Sequence, residues 1–399
     1  MKKNWIKFRH KFYRRLLGPF VRLYIKIKGG IKAERFKSDL KGPFLVLYNH
    51  QTGHDQFLVS LSFKFPIYHL ASDDLLANGF ASKLMRHLVA PIPIKKNVAD
   101  MVAVRNCLKI AKEGGTIVIA PEGNRTYSGE TCSFNPAIVS LIKMINLPTL
   151  IYRIEGGYSV LPRWTDKARK GKARAYVAKI IDKDEIKAMS KEELHERLKS
   201  ELALNEYEIV GKYKGNKKAE YLERVAYVCP HCGLSEFYSE GNYISCKKCG
   251  VKVEYTEEKQ LKCINGQFPF GNYLEWYNYQ NDFINNLDLT TLTDQAVYSD
   301  DAKLFEVIPL KKKVLIDKQS RIQLFGDRIV YQMNGKEMTA PFDQVDGVSV
   351  LGRNKLNFYH DGKVFQVKGS KRFNAVKYLN FYHRYLNQKR GLENGFLGL

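Results

Sequence analysis

A histidine and an aspartate stand five positions apart in the segment Asn49-His50-Gln51-Thr52-Gly53-His54-Asp55, directly after an apolar run. An alcohol is a poor nucleophile at neutral pH, but a neutral imidazole can take its proton while the oxygen attacks an acyl carbonyl. A carboxylate bonded to the same ring fixes its tautomer and stabilises the imidazolium that forms. His50 and Asp55 therefore predict the activation of a hydroxyl for acyl transfer.

The two side chains can meet only if His50 lies in a turn and Asp55 lies in the first turn of a helix, with Thr52 as a candidate N-cap. The same spacing has a structural alternative. Thr52 and Asp55 also have the positions of a capping box, and His50 could be a loop histidine with satisfied hydrogen bonds. His54 is a competing base by residue type. Taken alone, this motif favours the structural interpretation.

A second polar segment, Ala120-Pro121-Glu122-Gly123-Asn124-Arg125-Thr126, follows another apolar run. Gly123 allows a backbone to approach a ligand closely, and Arg125 offers a planar fork of donors for phosphate oxygens. Thr126 adds a hydroxyl. The alternative is a tight turn with a solvated arginine. Both segments lie at the ends of predicted strands, where sites form in α/β sheets.

Together, the two segments resemble the motifs of the glycerolipid acyltransferase family, which includes the 1-acylglycerol-3-phosphate acyltransferases. That family carries HxxxxD and then a Phe-Pro-Glu-Gly-x-Arg-Ser block, and the resemblance covers residues 5–185. It implies that His50 is the general base and that Asp55 orients it. It also implies that Glu122, Gly123 and Arg125 bind the glycerol phosphate, and we add Thr126 to this set.

Two other blocks of that family match less closely. The segment 91–96 ends in Lys95 and Lys96, which we expect to bind substrate, although the family usually has an arginine there. Lysine is a point charge without bidentate geometry. Pro148 begins the fourth block, but Ile151-Tyr152 stands where a second proline is expected. These departures leave the reaction class unchanged and the acceptor open.

Alternating strands and helices must position these residues. We predict strands at Phe44–Tyr48, Ile92–Ile94, Thr116–Ala120, Thr149–Ile154 and Ala173–Ile181, and helices at His54–Phe63, Val98–Glu113, Ala137–Ile145 and Ser190–Leu204. Such alternation predicts an α/β domain with a largely parallel sheet.

Four of the seven cysteines form two pairs, Cys229-Pro230-His231-Cys232 and Cys246-Lys247-Lys248-Cys249, with thirteen residues between them. This spacing is typical of a zinc ribbon. Four thiolates fill a tetrahedral coordination sphere, so the predicted Zn²⁺ is structural rather than catalytic. His231 is not expected to be a ligand.

The chain of 399 residues has a formal net charge of +24, which implies an anionic partner. Residues 2–28 combine basic side chains with apolar ones at helical spacing: Trp5, Phe8, Phe12 and Leu16. This pattern is typical of a helix in the lipid interface, and Gly18-Pro19 is expected to interrupt it. A helix packed on its own domain is the alternative. With no signal peptide or apolar run of about 18–20 residues, we predict a cytoplasmic protein bound peripherally to the inner face of the membrane.

The C-terminal part has the pattern of an all-β domain. Seven short strands are predicted at Val314–Ile316, Arg321–Leu324, Arg328–Gln332, Lys336–Ala340, Val345–Leu351, Lys355–His360 and Lys363–Lys368. Asn334-Gly335 and Asp361-Gly362 are hairpin turns, and a helix at Arg372–Gln388 closes the pattern. This pattern resembles a pleckstrin-homology-like (PH-like) barrel.

The predicted fold is multidomain: an α/β acyltransferase domain, a small zinc ribbon, and a C-terminal β-barrel plus helix. Its boundaries are a basic membrane-docking segment at 1–30, the acyltransferase domain at 31–205, a linker at 206–224, the ribbon at 225–256, a connecting region without assigned role at 257–309, the PH-like domain at 310–390 and a tail at 391–399.

The predicted function is acyl transfer from acyl-CoA or acyl carrier protein to a lysophospholipid such as 1-acylglycerol-3-phosphate. An anionic membrane surface is the other expected partner, and no organic cofactor beyond the acyl donor is needed. The alternative is a non-catalytic lipid- or nucleic-acid-binding scaffold with a degenerate acyltransferase domain. The presence of His50, Asp55 and Arg125 together argues against a scaffold. Balanced charge within 225–256 argues against a nucleic-acid partner.

Overall fold

The computed structural model describes residues 4–28, 30–72, 75–77, 79–94, 100–308 and 311–399. The chain divides into two compact units. The first comprises Met1–Arg163 and Ala168–Tyr213, and the second comprises Trp164–Lys167 and Lys214–Leu399. The main boundary therefore falls inside the segment 206–224 that was predicted as a linker.

The first unit is an α/β fold. Its strands are β1 (Lys32–Ala33), β2 (Leu45–Tyr48), β3 (Ile67–Ser72), β4 (Ile92–Ile94), β5 (Thr116–Ile119), β6 (Thr149–Glu155) and β7 (Arg174–Ile181). Its helices are α1 (Phe8–Lys28), α2 (Asp55–Ser62), α3 (Gly79–Val89), α4 (Met101–Lys112), α5 (Ala137–Ile145), α6 (Gly157–Val160), α7 (Lys183–Ala188) and α8 (Lys191–Leu202).

The strands of this unit form one sheet in the order β1-β7-β6-β2-β5-β3-β4. Strands β2 to β6 run parallel to one another, whereas β7 pairs antiparallel with β6. Every residue of β2 and β5 is buried, because separate apolar clusters cover the two faces of the sheet. Continuous apolar runs are typical of strands covered on both faces. The prediction of an α/β domain with a largely parallel sheet is thus confirmed.

Helix α1 differs from its prediction at its start and in its middle. It runs without a break through Gly18 and Pro19, and it begins only at Phe8. Trp5 precedes the helix, and its indole N–H donates to the Ala90 carbonyl at 3.1 Å. Trp5 therefore packs against the domain core and does not share the exposed face of the helix.

The rest of α1 has a buried side and an apolar exposed side. Ile25 is 2% exposed and packs in the core. Large apolar side chains remain open to solvent elsewhere on the helix: Phe8, Phe12, Leu16, Phe20, Leu23 and Ile27. The helix therefore packs on its own domain and still presents an apolar face, and its contact with a membrane stays a prediction. Among the described residues, no helix is both long and apolar enough to cross a membrane.

The second unit contains two antiparallel sheets and a two-stranded ladder. Its strands are β8 (Val228–Cys229), β9 (Gly233–Leu234), β10 (Phe237–Glu240), β11 (Tyr243–Cys246), β12 (Lys252–Tyr255), β13 (Leu261–Asn265), β14 (Tyr298–Ile308), β15 (Lys312–Leu324), β16 (Arg328–Met333), β17 (Lys336–Pro341), β18 (Val345–Leu351), β19 (Lys355–His360) and β20 (Lys363–Gly369). Its helices are α9 (Tyr273–Asn285) and α10 (Val376–Lys389).

The C-terminal sheet has the order β17-β16-β15-β14-β20-β19-β18 and is antiparallel throughout its described pairs. The predictions at Val314–Ile316 and Arg321–Leu324 were wrong in one respect, because both segments belong to the single strand β15. The strand β14 was not predicted at all. It pairs with both β15 and β20 and so joins the two halves of the sheet. The PH-like identity of this domain stays a prediction.

Candidate functional site

The two sequence motifs lie next to each other, at the carboxyl ends of two neighbouring strands of the parallel sheet. Strands β2 and β5 are neighbours, with Leu47 opposite Ile119. Parallel strands end on the same side of a sheet, so the loops that follow β2 and β5 emerge together. His50 therefore lies beside the segment that begins at Pro121.

His50 and Asp55 form the hydrogen bond that their spacing predicts. The Nδ1 atom of His50 lies 2.8 Å from Oδ2 of Asp55. The His50 side chain is 21% exposed, whereas the Asp55 side chain is fully buried. A carboxylate is an acceptor, so this contact assigns the ring proton to Nδ1 and the lone pair to Nε2. The arrangement can take a proton from a hydroxyl that binds beside the ring.

The alternative capping box of Thr52 and Asp55 is not formed, although Asp55 does bind the turn that precedes α2. Its carboxylate accepts the backbone N–H groups of Gln51 at 2.7 Å and Thr52 at 2.9 Å, together with the Thr52 hydroxyl at 2.7 Å. Thr52 is not the N-cap, because helix α2 begins at Asp55 with His54 in the capping position. One buried carboxylate therefore holds the turn and orients the imidazole at the same time.

The second motif holds the His50 backbone from both sides. The backbone N–H of His50 donates to Oε1 of Glu122 at 2.7 Å. The backbone N–H of Thr126 donates to the His50 carbonyl at 3.0 Å. The other Glu122 oxygen accepts the backbone N–H of Cys132 at 2.8 Å. These contacts give Glu122 a positioning role, and its predicted contact with substrate stays a prediction.

Burial raises the pKa of Glu122 to about 8, against the lowering effect of the two backbone N–H groups. Its ordinary value of 4.5 applies in the unfolded chain. The folded state therefore binds this proton more tightly, and the associated stability is lost as the pH rises through about 8.

The free energy of unfolding of the wild type, minus that of Glu122→Gln, should decrease as the pH rises from 4.5 to about 8. Urea unfolding at each pH measures it, and a pH-independent difference would contradict the buried-carboxyl account.

The remaining residues of the second motif divide into open and buried positions. Gly123 is exposed and has a φ of +67°, which glycine adopts without strain. Arg125 reaches toward the first motif, since a Cβ atom added to Gly53 would lie 3.3 Å from its Nη1. Thr126 is fully buried, and its hydroxyl accepts the Gly129 N–H at 2.9 Å. The structure thus uses the Thr126 hydroxyl to order the turn rather than to line an open surface.

Three other positions named from the sequence, Lys95, Lys96 and His54, have different outcomes. Lys95 and Lys96 lie outside the described residues. The Nε2 atom of His54 lies 3.2 Å from the hydroxyl of Tyr24, which is on α1. His54 therefore connects the loop of the first motif to α1, whereas His50 is the histidine that contacts Asp55.

Sequence reasoning did not identify Arg163, which is 3% exposed. Its Nη1 donates to the Arg125 carbonyl at 2.9 Å, and its guanidinium lies 4.0 Å from the centre of the Tyr127 ring. The residue follows no motif spacing, so the sequence signal was limited to a basic residue in an apolar context. It braces the backbone that carries Arg125.

The four paired cysteines converge in the second unit. Their Sγ atoms all lie within 4.8 Å of one another, and those of Cys229 and Cys249 are 3.7 Å apart. Tetrahedral zinc with Zn–S bonds of about 2.3 Å requires sulfur atoms about 3.8 Å apart, so the thiolates fit such an ion. His231 instead has its Nε2 atom 2.6 Å from the Gln267 carbonyl. The cluster could hold a metal such as zinc.

Comparison with known proteins gives a family match within the first unit. Residues 25–164 match the model of the Acyltransferase family, and both motifs lie inside the matched segment. Among solved structures, the chain is similar to PlsC, the 1-acyl-sn-glycerophosphate (LPA) acyltransferase of Thermotoga maritima. That match has 20% identity and a TM-score of 0.41 and covers 48% of this chain and 78% of the other.

A second solved structure is the C-terminal domain of an unknown protein from Leishmania infantum. It is 13% identical, has a TM-score of 0.17, and the match covers 27% of this chain and 95% of that one. No curated protein sequence matches the chain.

Proposed function

We propose that this protein transfers a fatty acyl group from an acyl thioester to a hydroxyl of a glycerol-phosphate lipid such as 1-acylglycerol-3-phosphate. The observation that carries the proposal is the 2.8 Å contact between His50 and the buried Asp55, inside an acyltransferase-family domain. Mass spectrometry of products from acyl-CoA or acyl carrier protein and a panel of lysolipids tests it.

The geometry supports a direct transfer. Nε2 of His50 takes the proton of the acceptor hydroxyl while the oxygen attacks the thioester carbonyl. Asp55 stabilises the imidazolium that forms, because its carboxylate lies 2.8 Å from Nδ1 of His50. The tetrahedral intermediate collapses, the C–S bond breaks, and the leaving thiolate takes the proton from His50. One oxygen ester and one thiol result, and the imidazole returns to its starting state.

The position of α1 supports a lipid acceptor. The helix presents Phe12, Phe20 and Ile27 to solvent at 54%, 67% and 71% exposure. Apolar side chains on a basic helix suit the membrane interface. Tyr24 of the same helix contacts His54 in the catalytic loop. A lysolipid in the membrane would therefore meet the protein close to His50.

We assign the acceptor's phosphate to Arg125, because its guanidinium lies against the loop that carries His50. Arg125→Lys keeps the charge and loses the planar fork of donors. The variant should raise the KM of a phosphorylated lysolipid about 10–150-fold, the worth of one charged hydrogen bond, and change kcat less. Steady-state kinetics with lysophosphatidic acid measures both constants.

A neutral monoacylglycerol is the matched control for this variant. Its KM should be the same for wild type and Arg125→Lys, because it has no phosphate to lose. If Arg125 only braces its turn, the variant would lose thermal stability and both kinetic constants together. An unchanged KM for lysophosphatidic acid at full thermal stability would remove the phosphate role.

A further inference from the structure

A basic groove of about 630 Å³ lies between one side of α1 and the C-terminal end of α2. No acidic residue of the described chain lines it. Six cationic side chains do: Arg14, Arg15, Arg22, Lys26, Arg35 and Lys64. They come from three separate parts of the first unit, so the fold rather than one local sequence run concentrates them.

Arg14 is held in place at the inner side of this groove. Its Nη2 atom donates to the carbonyls of Ser60 at 2.7 Å and Phe63 at 2.6 Å, which end helix α2. Gly18 leaves room for the guanidinium, since a Cβ atom there would lie 2.7 Å from Arg14 Nη1. A half-buried guanidinium that is already oriented loses little side-chain entropy when it binds an anion.

The cations of the groove also repel one another. Burial and then the charges of Arg22 and Arg35 lower the pKa of Arg14. An anion between these side chains would replace repulsion with attraction, and planar guanidinium groups match the oxygens of a phosphate. Charge complementarity therefore favours a phosphate-bearing ligand.

The groove borders the exposed apolar face of α1. Pro19 and Leu23 belong to its lining, and Leu23 is 56% exposed. Leu16, Phe20 and Ile27 follow at helical spacing on the adjoining surface. With this face in the acyl region of a membrane, the cations beside it would lie at the depth of the lipid headgroups.

We infer that this groove binds the phosphodiester headgroup of an anionic phospholipid. The site differs from the candidate active site, since no residue of the segments 49–55 and 120–126 lines it. The inference does not depend on the proposed acyl transfer. It assigns to the protein a lipid that it holds without reacting with it, beyond the diffuse attraction of a basic surface to an anionic membrane.

Dihexanoyl phosphatidylglycerol below its critical micelle concentration tests the site without a membrane. The groove variant is the triple substitution Arg15→Gln, Arg22→Gln and Lys26→Gln. The matched control, Lys11→Gln, Lys28→Gln and Lys37→Gln, removes the same charge outside the lining, and all six positions are exposed. Calorimetry should show that wild type and control bind the lipid within about threefold of each other. The groove variant should bind at least about 100-fold more weakly, since several charged hydrogen bonds are lost.

Three results would overturn the inference. If the wild-type protein does not bind the short-chain lipid, the groove is not a headgroup site. Equal weakening by both triple variants would show diffuse charge attraction alone. Binding of coenzyme A in the groove, with no binding of phosphatidylglycerol, would assign the cations to the phosphates of the acyl donor. Thermal melting of all three proteins checks that the substitutions leave the fold intact.

Discussion

Replacing His50 with alanine is expected to lower the turnover number by about 10²–10⁴-fold, the usual worth of a general base. The substitution removes the atom that would take the acceptor's proton. It leaves the carboxylate of Asp55 with its hydrogen bonds from Gln51 and Thr52, so the loop retains its main restraint. The melting temperature should therefore change little. Initial rates at saturating acyl donor, together with thermal melting, measure the two effects separately.

His54→Ala is the matched control, because His54 lies in the same loop and has the same side chain. Its Nε2 atom contacts the Tyr24 hydroxyl, whereas His50 is the histidine that contacts Asp55. We expect it to keep kcat within a few-fold of wild type. If His50→Ala turned over at a near wild-type rate while His54→Ala did not, the assignment of the base would be reversed.

Removing the metal from the cysteine cluster is expected to have the largest effect on the second unit. We propose one structural Zn²⁺ per chain, bound by Cys229, Cys232, Cys246 and Cys249. Structural zinc contributes about 10–16 kcal/mol at pH 7 in small peptides, as much as the whole stability of a typical domain. Chelation, or Cys246→Ser, should therefore unfold the segment 225–256. Elemental analysis and hydrogen exchange of that segment measure metal content and protection.

Cys263→Ser is the control for the cysteine substitution. Cys263 lies on the neighbouring strand β13, and its thiol donates to the Asn265 carbonyl at 3.1 Å rather than joining the cluster. This variant should keep one metal ion per chain and normal hydrogen exchange. Wild-type protein without metal, with all four clustered thiols titrating freely in the folded state, would remove the zinc site.

The parallel sheet was predictable because burial on both faces selects continuous apolar segments. The bounds of β4 and α5 agree with the predicted Ile92–Ile94 and Ala137–Ile145. Each of these elements carries its own pattern, an apolar run or a spacing of three and four. The neighbouring positions of β2 and β5, like their register, required the structure.

The strand β14 was not predictable from its own residues. Its first part reads Tyr298-Ser-Asp-Asp, and aspartate and serine disfavour strands in isolation. The strand forms because it pairs on one side with β15, which follows it directly, and on the other with β20, which is distant in the sequence. A local pattern cannot indicate the pairing with β20. The polar residues 317–320 in the middle of β15 were likewise interpreted as a break between two strands, because their own side chains do not favour a strand.

The candidate site divides in the same way. The His50–Asp55 contact is local and follows from spacing, whereas the roles of Glu122 and Arg163 depend on backbone groups far away in the sequence. Glu122 accepts the His50 N–H, and Arg163 donates to the Arg125 carbonyl. A side chain that bonds a distant backbone leaves no periodic signal, because any residue type can supply a backbone group.

The account is tested most directly by detecting the product of acyl transfer. Purified protein is mixed with 1-acylglycerol-3-phosphate and isotopically labelled acyl-CoA, and the lipid fraction is analysed by mass spectrometry. We expect labelled diacylglycerol phosphate and one free thiol per ester formed, with His50→Ala reduced about 10²–10⁴-fold. Free labelled fatty acid in place of the ester, or no product from any lysolipid with acyl-CoA and acyl carrier protein as donors, would contradict it.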